Sequence, residues 1–409
     1  MLAGCTSPAP ASSPTASAEA WTDRGPITFA VEGGTGASLQ QPVKEWNTAH
    51  PNEPVTLLEL PSIGGVRTPA FTDRARGGSG EYTVLLLEAA ATREFAAQGW
   101  LARLPSTDFP TDGLDPRAVA SATWSDAVYA YPLSQDAGLL YYRADLVERA
   151  GGTAPSTWAE VRSICSRVAS TRAGVSCYSG QLGRDPDLTS NVAEAIWSAG
   201  GQFVTSEGAP NVQTTAAGVG IRWLADGVAS GMIPKAALGW SADEARRQFE
   251  DGHLVFLRDW WSAHHELATN DSAFGAKVSV ARVPGLGPAG VAAWGGRNLA
   301  ISAKAANKGT AGDFVRFLAS DAQQRSLASR GVAAPVRTAL LADPALLKSQ
   351  PSLKSLAQAL ATAEPLPATE HFVDFTKDIR DVMMPVLKGE RASTDGLAEL
   401  QQRLGEVFG

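Results

Sequence analysis

Several tryptophans stand in short polar stretches where they could contact a ligand. Trp260 and Trp261 are adjacent in LRDWWSAHH, and Trp294 precedes two glycines in AAWGGRN. An aromatic ring offers a flat apolar surface, and a nearby carboxylate accepts strong hydrogen bonds. Together, these groups suit a molecule with apolar C–H faces and hydroxyl edges, such as a sugar ring.

The polar candidates are selected by their position at the ends of predicted strands or in a predicted connection. Adjacent tryptophans point to opposite sides of an extended chain, so we expect at most one of Trp260 and Trp261 to contact ligand. Core packing is the alternative for every tryptophan, and an ordinary surface position is the alternative for every carboxylate. The remaining candidates are Glu32, Glu88, Gln135, Asp136, Trp197, Asp259, Gly295 and Gly296.

Composition limits the classes of function. The chain has 409 residues and a net charge of −7. Because a single hydrophobic core stops growing at about 250–300 residues, we expect two lobes. The negative charge argues against nucleic acid or an anionic membrane as partner. No run of the sequence reaches the roughly 18 consecutive apolar residues of a membrane span.

Familiar cofactor and catalytic motifs are missing from the sequence. EGGTGAS lacks both the GxGxxG spacing and the P-loop lysine, and neither HExxH nor GxSxG occurs. We therefore expect no cofactor and no metal. A secreted glycoside hydrolase remains the enzyme alternative, because Glu32, Glu88 and Asp136 could supply two carboxylates about 5–5.5 Å or 6.5–9.5 Å apart.

The N-terminal segment predicts export. Leu2-Ala3-Gly4-Cys5 resembles the lipobox of a bacterial lipoprotein, in which the cysteine receives the lipid. Residues 6–20 are rich in Pro, Ser and Ala, a composition typical of a flexible tether. We expect residues 1–20 to hold the folded body outside the cytoplasm, anchored through Cys5.

The other two cysteines suit an oxidising compartment. Cys165 lies on a helical pattern and Cys177 on an extended run, and their spacing matches neither a zinc site nor a redox CxxC motif. We predict a disulfide between them, worth about 3 kcal/mol in the chain-entropy account. Two buried free thiols are the alternative.

Strand-then-helix units recur along the chain. PITFAVEGG, VTLLEL and EYTVLLLE predict strands, SLQQPVKEWNTAHP predicts a helix, and Gly99 marks a helix end. This alternation indicates α/β lobes with largely parallel sheets. Further helices are predicted over residues 216–230, 242–251, 310–329 and 394–407.

Four longer segments carry motifs in a recognisable order. They are the "Y-x-x-P" and "YYR" strands of DAVYAYPLSQDAGLLYYRADL, "W-x-x-G-G" in AEAIWSAGGQ, "F-x-x-G-x-x-x-F-x-x-x-W" in RRQFEDGHLVFLRDWW, and "G-G-x-x-L-A-I-S" in GGRNLAISAK. Together they resemble the extracellular solute-binding proteins of bacterial sugar ABC importers. The resemblance covers most of residues 27–409.

The resemblance implies a two-lobed periplasmic-binding-protein fold with the ligand in a cleft that closes by hinge motion. It would make residues 21–132 and 282–331 lobe one, with 138–278 and 335–409 as lobe two. Residues 133–137, 279–281 and 332–334 would cross between them. It also implies a carbohydrate ligand, an ABC permease as partner and a monomer that meets the membrane only through its lipid.

GVAAPVRTALLADPAL and VLLLEAAATREFAAQGW resemble the disaccharide-binding lipoproteins, which makes trehalose or maltose the expected ligand. Arg337 matches a ligand-facing arginine of that subgroup, with an interlobe salt bridge as the alternative. Glu88 departs from the subgroup, whose strand ends in Asp. Another small solute such as a polyamine is the alternative ligand; it would require several carboxylates around a narrow aromatic box.

Overall fold

The structure, a computed structural model, describes residues 21–60, 82–183, 187–269, 272–287 and 290–408. Cys5 and the tether lie outside them. Within these residues the strands are β1 Ile27–Glu32, β2 Val55–Leu60, β3 Val84–Glu88, β4 Thr123–Trp124, β5 Ala127–Val128, β6 Ala130–Arg143, β7 Ser176–Ser179, β8 Leu254–Trp260, β9 Val278–Arg282, β10 Ala293–Ile301, β11 Ala334–Pro335 and β12 Glu364–Pro365.

Helices cover both faces of the strands. The α-helices are α1 Gly36–Ala49, α2 Thr92–Ala97, α3 Pro116–Ser121, α4 Ala144–Arg149, α5 Trp158–Thr171, α6 Asp187–Ser198, α7 Thr215–Ala229, α8 Ala242–Glu250, α9 His264–Thr269, α10 Ser272–Gly275, α11 Lys308–Leu318, α12 Asp321–Ser329, α13 Thr338–Leu341, α14 Pro344–Ser349, α15 Leu353–Leu360, α16 Phe372–Leu387 and α17 Ser393–Phe408. Short 3-10 turns add Ala89–Ala91, Lys235–Gly239 and Trp261–Ala263.

One mixed sheet runs through the molecule in the order β2-β1-β3-β10-β6-β8-β7, with β9 and β11 also on β6 and β12 on β10. The predicted α/β organisation is confirmed. Parallel pairing holds for β1 with β2 and β3, and for β7 with β8. The strands that pair with β6 are antiparallel to it, so the sheet is less parallel than the sequence predicts.

Strand β6 belongs to both halves of this sheet. Its residues 130–137 pair with β10, and residues 138–143 pair with β8 and β9. We call the half built on β2-β1-β3-β10 the first lobe, and the half built on β8, β7 and β9 the second lobe. A single continuous strand therefore passes from one lobe into the other.

Two of the predicted crossings between the lobes lie at other residues in the structure. Residues 279–281 lie inside β9, paired with second-lobe residues of β6, so the chain returns to the first lobe only between β9 and β10. After β11 the chain stays with the first lobe, because Val336 O accepts from Asp115 N and Gly113 O accepts from Thr338 N. Contact with second-lobe strand β9 begins with α15.

Side-chain caps mark the start of several helices. Thr157 and Glu160 form a capping box at the start of α5, and Ser241 and Glu244 form another at α8. The prediction of one helix over residues 310–329 is wrong. Ser320 accepts from the backbone N–H of Gln323 and begins a second helix, α12, separate from α11.

The structure joins Cys165 of α5 to Cys177 of β7 through a disulfide, with the two Cα atoms 5.3 Å apart. Among the helices of the described ranges, none combines the length and apolarity needed to cross a membrane.

Candidate functional site

A cavity of about 650 Å³ lies between the two lobes. Its first-lobe wall comes from the turn after β1, from the start of α1 and from the ends of β3 and β10. Its floor is formed by β6, β10 and the segment before β11, and its second-lobe wall by α6, α8, β8 and the turn after it. The main polar and aromatic lining residues are Thr35, Ser38, Glu88, Ser134, Gln135, Asp136, Asp187, Ser190, Asp243, Arg246, Arg247, Glu250, Trp260, Ser262, His265, Glu266, Trp294, Arg297 and Phe372.

The first-lobe wall carries an arginine between two carboxylates. Arg297 stands directly opposite Glu88 in the β3–β10 ladder. Its Nη1 lies 2.7 Å from Glu32 Oε2 and 3.6 Å from Glu88 Oε1. Arg297 and Glu88 line the cavity and remain partly exposed, whereas Glu32 is buried outside the lining. This wall therefore presents a charged donor and a charged acceptor to a ligand.

The floor is built where β6 and β10 approach closely. Gln135 is buried, and its Nε2 donates to Pro335 O at 2.8 Å. A Cβ at Gly296 would lie 2.4 Å from Ser134 O, so only glycine fits there without moving the strands. Trp294, two residues earlier on β10, contributes an aromatic surface to the floor.

Asp136 lines the floor but already has backbone partners. Oδ1 accepts from Trp261 N and Ala137 N, both at 2.8 Å, and Oδ2 accepts from Ser262 N at 3.2 Å. Burial raises the pKa of Asp136 to about 6, opposed by these hydrogen bonds. Its carboxylate thus fastens the turn after β8 to the crossing strand.

Trp260 is the aromatic group of the second-lobe wall. Its indole Nε1 donates to Asp187 Oδ1 at 3.0 Å. The guanidinium carbon of Arg258 lies 4.3 Å from the ring centroid. A Cβ at Gly295 would lie 2.9 Å from Trp260 Cζ3, so the ring edge abuts the backbone of β10.

The sequence analysis missed Arg246, which brings a second guanidinium to the cavity from α8. Its Nε donates to Asp259 Oδ2 at 3.1 Å, and it pairs with Asp243 and Glu266. The doubled arginine in RRQFEDG, just before the motif that ends in WW, was the available signal. Arg247, Asp187, Ser190 and Arg297 were also missed, because they lie in helices or in the middle of a strand rather than at strand ends.

The structure places Trp261 and Trp197 in the core, which corrects both predictions. Trp261 is 0% exposed, and its Nε1 donates to Ser352 Oγ at 3.0 Å. Trp197 is buried on α6 and packs against Phe203 in a T-shaped arrangement, at a centroid distance of 6.1 Å. Of the adjacent tryptophans, only Trp260 lines the cavity, consistent with their expected opposite directions.

Three polar predictions also fall outside the lining. Asp259 is buried behind Trp260 and accepts from Gln181 Nε2 at 2.7 Å. Glu32 sits behind Arg297. Arg337 forms an ion pair with Asp321 of α12 and does not reach the cavity. The predicted residues that do line it are Glu88, Gln135, Asp136, Trp260, Trp294, Gly295 and Gly296.

Comparison with known proteins gives this site a context. The family model described as bacterial extracellular solute-binding protein matches residues 30–325. The chain belongs to this family. A relative of this solute-binding protein, a probable ABC transporter-binding protein of Deinococcus radiodurans, is 28% identical over 305 residues, which cover 72% of each chain.

Solved structures confirm the two-lobed fold. Maltose-bound MalE3 of T. maritima superposes with a TM-score of 0.87 and 26% identity, covering 93% of this chain and 98% of the other. The GacH receptor of Streptomyces glaucescens superposes with a TM-score of 0.83 and 23% identity, covering 94% and 98%. Within the described residues of this solute-binding protein, no group of three or more His, Cys, Asp or Glu side chains is arranged to hold a metal ion.

Proposed function

We propose that this protein is the substrate-binding component of an ABC importer and that its ligand is a carbohydrate, with a disaccharide such as maltose or trehalose as the best candidate. The interlobe cavity carries the proposal. Trp260 stands on one wall, the Arg297–Glu88 pair on the other and Trp294 in the floor, which supplies both apolar surface and charged hydrogen-bonding groups. Its volume is within the roughly 300–1,000 Å³ usual for small-molecule sites.

Similar proteins support the transport role and the ligand class. The similar structure of MalE3 holds maltose, and the Deinococcus radiodurans relative is named for an ABC transporter. Three arginines, Arg246, Arg247 and Arg297, line the cavity. Six carboxylates line the same cavity, so the ligand screen described below decides between a sugar and a polyamine.

The three carboxylates predicted for a glycoside hydrolase are arranged better for binding than for hydrolysis. Of the three considered for a glycoside hydrolase, Glu32 lies outside the lining in an ion pair with Arg297. Asp136 accepts three backbone hydrogen bonds. Glu88 lines the wall and its ion-pair partner there is Arg297 rather than a second carboxylate of that set, whereas glycoside hydrolysis requires two.

In the proposed cycle the lobes rotate about β6 and its neighbours, close on the sugar and present it to a permease. The protein works as a monomer outside the cytoplasm, held at the membrane by a lipid on Cys5. In cells, Cys5→Ala should move the protein from the membrane fraction to the soluble fraction. Deletion of residues 6–20 should leave the unfolding midpoint and sugar affinity unchanged. Membrane retention of Cys5→Ala would contradict the lipid anchor.

A thermal-shift screen tests the ligand class. Maltose, trehalose, monosaccharides and spermidine would be compared, and a sugar at 100 times its Kd should stabilise the protein by about 2.7 kcal/mol. X-ray scattering should show a smaller radius of gyration with that sugar, since lobe closure brings mass inward. Stabilisation by spermidine alone, or turnover of a chromogenic glycoside, would overturn the proposal.

A further inference from the structure

We infer that Arg258 and Glu194, neither of which lines the cavity, are positioning residues that fix the orientation of Trp260 for the ligand. The inference rests on the proposed function only for its binding measurement. Its structural part concerns the unliganded protein and can be tested without any sugar.

Arg258 and Glu194 form a buried two-pronged ion pair. Arg258 is 0% exposed, and its Nε and Nη2 lie 2.8 Å and 2.6 Å from the two carboxylate oxygens of Glu194. The third nitrogen, Nη1, donates to Gln181 Oε1 at 3.0 Å. A guanidinium engaged on all three nitrogens has a fixed plane and a fixed place, unlike a single-point contact.

That fixed plane is one of three contacts that hold the Trp260 indole. The ring centroid lies 4.3 Å from the Arg258 guanidinium carbon, well inside the roughly 6 Å of a cation–π contact. Asp187 holds the indole N–H, and Gly295 limits the ring edge. A side chain restrained on a face, at its nitrogen and along its edge needs little further ordering when a ligand arrives, so affinity gains from preorganisation.

The same pair also touches β6, which crosses between the lobes, and β10 of the first lobe. Glu194 Oε1 accepts from the backbone N–H of Ala293, the first residue of β10, at 2.9 Å. A Cβ at Gly138 of β6 would lie 2.1 Å from Glu194 Oε1 and 2.5 Å from Arg258 Nη2. The orientation of the indole therefore depends on β6 and β10 as well as on the second lobe.

A purely structural role is the competing explanation, since breaking any buried ion pair destabilises a protein. The molecule contains a matched control. Arg143 is buried and forms its own two-pronged pair with Asp145, through Nε and Nη2 at 2.8 Å each. Its guanidinium carbon lies 5.5 Å from the Phe274 ring centroid, and neither member of the pair lines the cavity.

The first experiment observes the tryptophans directly by ¹⁹F NMR of the full chain labelled with 5-fluorotryptophan. Resonances of Trp260 and Trp261 are assigned by their loss in Trp260→Phe and Trp261→Phe. Combining Arg258→Met with Glu194→Gln, which leaves no unpaired buried charge, should shift and broaden the Trp260 resonance but not that of Trp261. The control pair Arg143→Met with Asp145→Asn should move neither. Arg258→Lys keeps the positive charge but loses the two-pronged contact with Glu194, and it gives a second test with a smaller expected shift of the Trp260 resonance.

The second experiment measures affinity for maltose and trehalose. The Arg258→Met/Glu194→Gln protein should bind about tenfold more weakly, and the Arg143 control like wild type. In a Trp260→Ala background, the same two changes should cost less than about twofold, because no ring is left to position.

An unmoved Trp260 resonance, or equal losses of affinity with and without the Trp260 ring, would overturn the inference. If wild type binds none of the sugars, the proposed ligand class fails, and the NMR comparison alone decides the positioning role.

Discussion

Each wall of the cavity has an arginine–glutamate ion pair, but the two pairs lie at different depths. In the first lobe, Arg297 and Glu88 form an ion pair in the lining itself, and both side chains are partly exposed. In the second lobe, the Arg258–Glu194 pair is buried one layer behind the lining, beneath Trp260. An ion pair in the lining can exchange partners with a ligand, whereas a buried pair can act only through what it holds in place.

Because the two ion pairs lie at different depths, substitutions in the two walls should differ in how much they change ligand affinity and folding stability. Solvent screens the first-lobe pair, so its loss should change ligand binding more than folding. In the second lobe, groups behind the lining sit in a close-packed interior, where a lost contact leaves a cavity or an unpaired polar group. The following substitutions test how cleanly the two effects divide.

The largest expected effect comes from the neighbouring tryptophans of the second-lobe wall. Trp261→Ala should lower the free energy of unfolding by about 3–5 kcal/mol, because it empties a fully buried site. Trp260→Ala should lower it by about 1 kcal/mol or less but weaken sugar binding by about tenfold or more. Urea unfolding and calorimetric titration would measure both. If Trp260→Ala lost the stability and Trp261→Ala lost the affinity, the placement of the two rings would be contradicted.

A second change affects the same lobe far from the lining. Cys165→Ser with Cys177→Ser should lower the free energy of unfolding by about 3 kcal/mol through lost loop closure, with sugar affinity unchanged. Mass spectrometry of the exported wild type, alkylated after denaturation but without reductant, checks that the bond forms. Labelling of both thiols in that sample would show that they are not bonded.

Asp136, which joins the crossing strand to the second-lobe wall, should give a pH signature. With the pKa raised from 3.8 to about 6, the folded state keeps its proton between pH 4 and 6 while the unfolded state releases one. Stability contributed by this group therefore falls as pH rises through that window, by on the order of 2–3 kcal/mol, and stays constant above it. Asp136→Asn should remove this slope. Parallel stability-versus-pH curves for wild type and this variant would refute the assignment of the slope to Asp136.

The smallest effect on folding is expected in the first-lobe wall. Glu88→Gln should weaken sugar binding by about tenfold, because it removes a charged acceptor at nearly constant volume. The free energy of unfolding should change by no more than about 0.5 kcal/mol. A variant that binds like wild type but unfolds earlier would place Glu88 among the structural groups instead.

Periodicity and turn chemistry were enough to predict most of the elements. β1, β2 and β3 occur where apolar runs predicted them, and α8 and α17 match their predicted bounds closely. The split between α11 and α12 was missed because a serine N-cap in a helical pattern is a weak local signal. The crossings were misplaced because strand pairing over long sequence distances fixes them, as with residues 279–281 on β6.

The site was harder to predict than the fold, for a geometric reason. Position at a strand end identified Glu88 and Asp136 but could not tell that the buried Asp259 points away from the cavity. Trp197 and Arg337 found other partners, which only the packing of distant segments determines. Arg246 reaches the cavity from helix α8. A criterion based on polar residues at strand ends does not select a residue in a helix.

Strand β6 gives the two lobes a shared elastic element. Its hydrogen-bond ladders lead from β10, with one irregularity between Arg297 and Asn298, to β8 and β9, so in the proposed cycle the lobes would separate by twisting this strand rather than by swivelling on a loose linker. The twist is spread over many peptide units, so no single bond must break when the cleft opens. In the proposed cycle, opening should meet a gradual restoring torque, and amide protons in the middle of β6 should keep their protection from solvent exchange.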